Sequence, residues 1–253
     1  MPNVDLERIQ NLYDSGSYQK NTNNWEDATG LERARALIRS LRGNMSGIAS
    51  VLDVGCGSGG VIRRLHCIAR LEKEIFTENV RIVGCDPSER AISLSRSLSY
   101  SISDIEYRHC LLEDFHFSAE KFDLVLLIHV LEHVPDMLEM IESSFNLSRH
   151  VYINVPIEAT ILYALRSGVL AAQYTRYGHI HFFDETFFRK FLESNGFCVL
   201  YNGHSYDYRG QSRTLPRTLL YSLRMIASRI FGPSIANKLL GGISATYLIT
   251  KCK

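Results

Sequence analysis

Apolar segments alternate with amphipathic ones along the middle of the chain, and this alternation constrains the fold more than any other feature. Five of the apolar segments are predicted strands: 48–54, 80–86, 105–110, 122–128 and 150–156. Their apolar residues are mostly consecutive, as expected when helices cover both faces of a sheet. Five strand–helix alternations predict an α/β fold with a doubly wound parallel sheet.

The C-terminal part departs from this pattern. A helix is predicted after Asp184, a residue type that caps helices, and two strands are predicted at 196–203 and 243–251. The connection between these strands, 211–241, contains no parallel crossover partner. We therefore expect the two strands to pair antiparallel at the edge of the sheet.

A glycine-rich loop, VLDVGCGSGG, follows the first strand. Glycines allow a tight turn and a close approach of a ligand, and nucleotides bind at this end of a doubly wound sheet. Gly55, Gly57 and Gly60 also fit the GxGxxG pattern of dinucleotide-binding proteins. However, Asp53 would repel a pyrophosphate, whereas Asp86, at the end of the second strand, suits the two hydroxyls of a ribose.

Four segments, in this order, resemble the class I S-adenosylmethionine-dependent methyltransferases. They are VLDVGCGSGG, IVGCDPSERAI, FDLVLLIHVLEHVPDMLEMI and GHIHFFDETFFRKFLESNGF, and the resemblance covers 47–206 and the last strand. It implies S-adenosylmethionine as cofactor and a seven-stranded Rossmann-like sheet with an antiparallel last strand. Within the family, the chain resembles the ubiquinone-pathway-type O-methyltransferase branch.

The resemblance also implies a set of cofactor contacts. They involve Asp53, Gly55, Cys56, Gly57, Asp86, Pro87, Leu112, Glu113, Ile128 and His129. The glycine loop would line the methionine and ribose, and Asp86 would hold the ribose hydroxyls. Leu111 stands where the family often has an aspartate for the adenine amino group. That contact is therefore expected from the backbone of Leu112 or from Glu113. Ile128 and His129 would face the sulfonium methyl.

Two histidine clusters follow the fourth and fifth strands. His129, Glu132 and His133 are spaced to lie on one side of a helical turn, and His179 and His181 on one side of an extended segment. Two such faces could converge on a divalent metal ion. Ubiquinone-pathway enzymes and small-RNA 2′-O-methyltransferases carry ExxEH at the first cluster and bind a metal there. This chain has His129 in place of the first glutamate.

The same residues could instead act without a metal. In metal-free relatives the glutamate–histidine pair fixes the loop after the fourth strand. The predicted catalytic residues are His129, His133 and His181. Among them, His129 is the candidate base for the proton of a hydroxyl acceptor.

The charge of the chain is balanced overall but uneven in distribution. The formal net charge is +1 over 253 residues, which gives no reason to expect DNA as a partner. Residues 208–253, however, contain eight lysines and arginines and no acidic residue. Within them, 214–231 predicts a basic amphipathic helix, whose apolar face consists of Leu219, Leu223, Ile226 and Ile230. Such a helix can lie peripherally on an anionic membrane, or pack its apolar face on its own domain.

The cysteines have no zinc-site spacing and the first residues form no signal-peptide core. We therefore expect a reduced, cytoplasmic protein, peripheral to the membrane if the basic helix contacts lipid. The expected organisation is an N-terminal helical cap at 1–46 and a methyltransferase domain at 47–253. Within the domain we expect an acceptor-side insertion at 157–178 and a basic helical insertion at 208–241.

These features favour a methyltransferase acting on a small-molecule or lipid-linked acceptor, with oxygen as the favoured acceptor atom because His129 could serve as its base. RNA 2′-O-methylation stays open because of the histidines and the basic insertion. An NAD-dependent oxidoreductase would use the same glycine loop, but Asp53 and the missing nicotinamide-binding half count against it. A cofactor-binding scaffold without activity is the remaining alternative.

Overall fold

The computed structural model describes residues 12, 15–17, 20, 27–102, 104–117, 120–165, 168–206 and 215–252. Within them, seven strands form one sheet in the order β3-β2-β1-β4-β5-β7-β6. The strands are β1 (Ile48–Val54), β2 (Phe76–Asp86), β3 (Ile105–His109), β4 (Leu124–Ile128), β5 (Val151–Pro156), β6 (Phe197–Ser205) and β7 (Ser244–Lys251). Strands β1 to β5 are parallel, and β7 is antiparallel to both of its neighbours. The predicted doubly wound sheet and its antiparallel last strand are therefore confirmed.

Helices flank this sheet on both faces. They are α1 (Gly30–Leu41), α2 (Gly60–Ala69), α3 (Glu89–Leu98), α4 (Met137–Phe145), α5 (Ile161–Leu165), α6 (Val169–Ala172), α7 (Glu185–Ser194), α8 (Leu215–Phe231) and α9 (Pro233–Leu240). Asp184 caps α7 by accepting the Phe187 N–H at 2.9 Å, as its residue type predicted. Short 3₁₀ segments lie at Asp27–Thr29 and Glu113–Phe117.

Two apolar cores lie on the two faces of the sheet. Every residue of β4 is buried, and successive residues alternate between the cores: Leu127 faces one and Leu126 the other. This explains why the strand sequences are continuously apolar. Asp86 is the last residue of β2, and His129 directly follows β4, so both lie at the carboxyl ends of their strands.

The helix α1 lies within the predicted cap and is part of the packed domain. Its Leu37 and Leu41 are fully buried, and the helix contacts β6, β7 and α2. Part of the cap, including 1–11 and 21–26, lies outside the described residues, and its boundary at 46 stays a prediction. The insertion 157–178 contains α5 and α6, and the insertion 208–241 contains α8 and α9, with 208–214 outside the described residues.

The expectation of fully reduced cysteines is wrong for one pair. Cys198 in β6 and Cys252, just after β7, form a disulfide. The two strands pair with Phe197 opposite Lys251, which brings the cysteines together across the sheet edge. The 54-residue separation conceals this proximity from any spacing rule. Among the described residues, none of the helices combines the length and apolar composition that a bilayer-spanning segment requires.

Candidate active site

The loop after β1 and the end of β2 form one polar corner. Gly57 N–H donates to Asp86 Oδ2 at 2.9 Å, and Ser88 N–H donates to Oδ1 at 2.8 Å. Gly55 and Gly57 have φ values of +69° and +53°, and a Cβ at Gly55 would come within 2.8 Å of Val130 Cγ2. The left-handed backbone and this close approach require glycine at position 55.

Two buried carboxyl groups meet at this corner. Burial and then the charge of Asp86 raise the pKa of Asp53 to about 8, although Arg33 lowers it. Burial raises the pKa of Asp86 to about 6, against the two backbone hydrogen bonds that it accepts. A cationic group near Asp53, or hydroxyls that donate to Asp86, would stabilise the ionised forms that burial disfavours.

The remaining predicted cofactor residues surround this corner. Cys56 is buried in the glycine loop, and burial raises the pKa of its thiol. Pro87 is exposed after β2, and its carbonyl oxygen lies 2.9 Å from His109 Nε2. Leu112 is buried in the core, whereas Glu113 is exposed at the start of a 3₁₀ turn. The adenine contact of these two residues stays a prediction.

His129 follows the buried Ile128 at the end of β4 and has an unusual backbone. Its φ is +56°, and among the described residues it is the only non-glycine with a positive φ. Its N–H donates to the Asn154 carbonyl at 2.9 Å. Nδ1 lies 3.1 Å from Glu132 Oε1, and Nε2 lies 3.2 Å from Ser244 Oγ. Strained backbone of this kind persists only where surrounding contacts impose it, and it clusters at functional sites.

The predicted helical turn after His129 is wrong. His133 N–H donates to the Val130 carbonyl at 2.9 Å within a turn, and α4 begins only at Met137. Pro135 disfavours helical backbone at the preceding residue, which agrees with the interruption between this turn and α4.

The turn nevertheless brings part of the two histidine clusters together. One ligand atom from each of Glu132, His133 and His179 lies within 4.8 Å of the other two. His179 Nδ1 lies 2.9 Å from Glu158 Oε2, and His133 Nδ1 lies 3.3 Å from the Gly178 carbonyl. With each Nδ1 engaged, Nε2 is the nitrogen left on both rings to face a metal ion or Glu132.

Glu132 is the electrostatic centre of this cluster. It is fully buried, and neither carboxylate oxygen has a well-aligned hydrogen bond from any described residue. Burial would raise the pKa of Glu132, but His129, His133 and His179 lower it to about 2. Burial lowers the pKa of His133 to about 4. Burial would also lower the pKa of His179, but Glu158 and Glu132 raise it above its ordinary value. An ionised Glu132 therefore depends on positive charge supplied by a protonated histidine or by a metal ion.

His181 is not brought into this cluster. Its Nε2 lies 2.8 Å from the Val134 carbonyl, so that nitrogen is directed at the loop. His129 contacts the cluster through Glu132. Sequence reasoning missed Glu158, two residues after the end of β5, although a carboxylate just after a predicted strand was an available signal. It also missed Ser244, which lies far along the chain and has no local signal.

The comparison with known families decides the class of this fold. The family described as a methyltransferase domain matches residues 25–202. The chain is a member of the class I S-adenosylmethionine-dependent methyltransferase family. It is similar to the ubiquinone biosynthesis O-methyltransferase of Actinobacillus pleuropneumoniae serotype 7, with 30% identity over 156 residues, 56% of this chain and 60% of that protein. The corresponding protein of Ruegeria pomeroyi is 35% identical over 98 residues, 38% of this chain and 36% of that protein. The match thus spans less than two thirds of the length of each of these curated relatives.

Solved methyltransferase structures share the fold along nearly the whole chain. The plantazolicin methyltransferase BpumL, in complex with S-adenosylhomocysteine, has a TM-score of 0.61 at 15% identity and covers 98% of this chain and 96% of its own. The N-methyltransferase NodS of Bradyrhizobium japonicum WM9, also in complex with S-adenosylhomocysteine, has a TM-score of 0.55 at 16% identity. The match covers 94% of this chain and 100% of the NodS chain. The predicted family, fold and S-adenosylmethionine cofactor are confirmed. The methyltransferase family also disfavours the NAD-dependent alternative.

Proposed function

We propose that this methyltransferase modifies an oxygen atom of a small-molecule or lipid-linked acceptor. The observation that carries the proposal is the arrangement of His129 between Glu132 and Ser244. Its Nδ1 is directed at a buried carboxylate, which favours the tautomer with the proton on Nδ1. Nε2 is then the basic nitrogen, and it already lies within hydrogen-bond distance of one hydroxyl, that of Ser244 at 3.2 Å.

The proposed reaction is an in-line displacement. The acceptor oxygen forms a bond to the methyl carbon as the bond from that carbon to the sulfonium sulfur breaks, and S-adenosylhomocysteine leaves as a neutral thioether. The hydroxyl proton passes to His129 Nε2, and Glu132 stabilises the imidazolium that forms. Most of the acceleration would come from holding the oxygen, carbon and sulfur in line. Asp53 and Asp86 would hold the cofactor in that position.

We also propose that Glu132, His133 and His179 hold a divalent metal ion. The fit rests on the buried carboxylate of Glu132, whose Oε1 lies 3.1 Å from His129 Nδ1 and whose Oε2 has no hydrogen-bond partner among the described residues. It rests equally on the engaged Nδ1 atoms of both histidines. One carboxylate and two imidazoles suit zinc and other first-row divalent ions. When bound, such an ion would lower the pKa of a nearby acceptor hydroxyl.

The acceptor class is inferred from the relatives and from charge. The ubiquinone biosynthesis enzymes favour a small or lipid-linked acceptor, and peripheral membrane contact through 214–231 belongs to the same proposal. RNA 2′-O-methylation is the second candidate, and the basic residues between 208 and 253 favour it. Both acceptors present a hydroxyl, so His129 would have the same role in either reaction.

Two measurements test the proposal in sequence. Calorimetric titration with S-adenosylhomocysteine should show saturable binding, and titration with NADH should show none. Transfer of a labelled methyl group from S-adenosylmethionine to a soluble catechol and to a short RNA then separates the two acceptor classes. The assays are run after dialysis against a chelator and again after adding magnesium, manganese or zinc. Product analysis that locates the methyl group on nitrogen or carbon would reject the oxygen assignment.

The role of His129 has its own test. His129→Ala should bind S-adenosylhomocysteine like the wild type and lose methyl transfer by about 100-fold or more. His150→Ala is the matched control, because His150 precedes β5 at the opposite end of the sheet. Full activity of His129→Ala would remove this residue from the mechanism.

A further inference from the structure

We propose that the helical hairpin α8–α9 docks the enzyme on an anionic membrane surface and that the acceptor is met there. This inference rests on the proposed lipid-linked acceptor. The sequence left two outcomes open for the apolar face of 214–231, namely packing on the domain or facing outward toward a partner.

The apolar stripe of α8 is directed away from the domain. Its exposed members are Leu219, Leu223, Ile226, Ile230 and Phe231, each between 48% and 65% exposed. The opposite side of α8 is less exposed and includes the half-buried Leu220, Tyr221 and Met225. Ala227 is buried, and the Arg224 guanidinium donates to the Leu240 carbonyl of α9 at 2.9 Å. The structure therefore leaves a helix-long apolar stripe without cover from the domain.

The exposed apolar surface continues beyond α8. In α9, Ile235 and Leu239 are 53% and 41% exposed, and in α5, Ile161 and Leu165 are 51% and 79% exposed. The helix α9 packs against both α8 and α5, so these side chains belong to neighbouring elements. Exposed apolar patches built from several elements usually mark an interaction site on a soluble domain.

The charge of this region selects the partner. Arg229 in α8 and Lys238 in α9 are exposed beside the apolar residues, and 208–253 contains no acidic residue. A second copy of the chain in a symmetric dimer would bring like charges together, which is unfavourable. An anionic lipid surface offers both an apolar phase for the leucines and isoleucines and negative charge for the basic side chains.

The hairpin is connected directly to the acceptor end of the site. After α9 the chain passes to Ile243, whose carbonyl accepts the Ile157 N–H at 3.3 Å just after β5. The next residue is Ser244, whose hydroxyl lies 3.2 Å from His129 Nε2. A membrane bound at α8–α9 would therefore lie against the element that leads into the proposed acceptor site.

Vesicle sedimentation of the full chain tests the proposal. One vesicle preparation contains phosphatidylglycerol and phosphatidylcholine in equal parts, and the other contains phosphatidylcholine alone. We expect binding to the anionic vesicles that weakens as salt is added. The double variant Leu223→Ser/Ile226→Ser should lose about tenfold or more in affinity, because both side chains are exposed and would insert. Arg229→Gln should lose about fivefold.

The matched control is Leu71→Ser/Tyr100→Ser, which removes two side chains of even higher exposure after α2 and α3. It should bind vesicles like the wild type. Equal binding to both vesicle types, no binding to either, or an unaffected Leu223→Ser/Ile226→Ser variant would overturn the proposal. A dimer in gel filtration that this variant dissociates would also overturn it. Titration of each protein with S-adenosylhomocysteine reports on the cofactor site separately, so failure of the membrane proposal and failure of the methyltransferase proposal are distinguished.

Discussion

Replacement of Asp86 by asparagine should weaken cofactor binding without destabilising the cofactor-free protein. Each carboxylate oxygen of Asp86 accepts one backbone hydrogen bond, from Gly57 or from Ser88, and keeps a further acceptor site for a ribose hydroxyl. Asparagine retains one such oxygen and presents an NH₂ group in place of the other. That group cannot accept from the backbone N–H or from a hydroxyl, so one ribose contact is lost.

The size of the loss follows from the charge of the acceptor. A hydrogen bond to a charged group contributes about 1.5–3 kcal/mol, so the dissociation constant of S-adenosylhomocysteine should rise roughly 10- to 100-fold. Because the pKa of Asp86 is about 6 without cofactor, wild-type affinity should also fall as the pH drops below that value. The fall should approach about tenfold per pH unit, since only the ionised carboxylate accepts both hydroxyls.

The free energy of unfolding of the cofactor-free protein should rise in the Asp86→Asn variant, whereas its affinity for the cofactor falls. The pKa of Asp86 is raised from 3.8 to about 6 in the folded protein. Its contribution to the free energy of unfolding is therefore fully present below pH 3.8 and is lost as the pH rises through about 6. Above that pH the buried carboxylate costs about 3 kcal/mol, a cost that the neutral asparagine avoids at the expense of about 1 kcal/mol for a lost backbone hydrogen bond.

Calorimetric titration at several pH values, paired with urea unfolding of the cofactor-free proteins, measures both effects. Asp53→Asn is the companion variant, because the pKa of Asp53 is about 8 and its titration falls in a higher pH range. An Asp86→Asn variant that binds with wild-type affinity would refute the ribose assignment. A wild-type affinity that is the same on both sides of pH 6 would refute the electrostatic reasoning.

Three further predictions concern the loop, the metal cluster and the disulfide. Gly55→Ala should lower the free energy of unfolding in urea by roughly 1–3 kcal/mol. The loss should exceed that of Gly43→Ala, because Gly43 has a similar φ but no atom lies near a Cβ added there. Equal losses in the two variants would contradict the argument from the Val130 contact. Glu158→Gln should weaken metal affinity about 10- to 100-fold in a chelator competition, because Glu158 orients His179, and unchanged affinity would remove that role. Reduction of the disulfide, or Cys198→Ser, should lower stability by about 2–4 kcal/mol, and an unchanged urea midpoint would contradict the pairing.

The sheet could be predicted because its determinants are local. The continuous apolar runs of β1, β4 and β5 indicate burial on both faces of the sheet. The glycines after β1 indicate a backbone conformation that other residues adopt only with strain. The antiparallel edge followed from the absence of a crossover between the last two strands. Each of these inferences needs only the residues of one segment and its neighbours.

The histidine cluster could be predicted only in part, since its geometry depends on segments distant in sequence. The spacing of His129, Glu132 and His133 suits a helix, but the chain forms a turn there, in which the His133 N–H donates to the Val130 carbonyl. Ser244 reaches His129 from more than a hundred residues away because β7 is antiparallel beside β5. No pattern within either segment carries that information.

The reversed strand β7 is what joins the proposed membrane surface to the proposed chemistry. An antiparallel β7 begins at the carboxyl end of β5, where Ser244 pairs with Pro156, so its first residues lie at the edge of the sheet that holds His129. Whatever precedes β7 must therefore approach from the acceptor side, and the chain places α8 and α9 there. Had β7 been parallel, the same hairpin would have led into the opposite end of the sheet. A lipid-linked acceptor then needs only a short path from the bilayer to the site. For this reason, vesicles should stimulate methyl transfer to a lipid-linked hydroxyl and leave transfer to a soluble catechol unchanged, and equal stimulation of both would contradict this geometry.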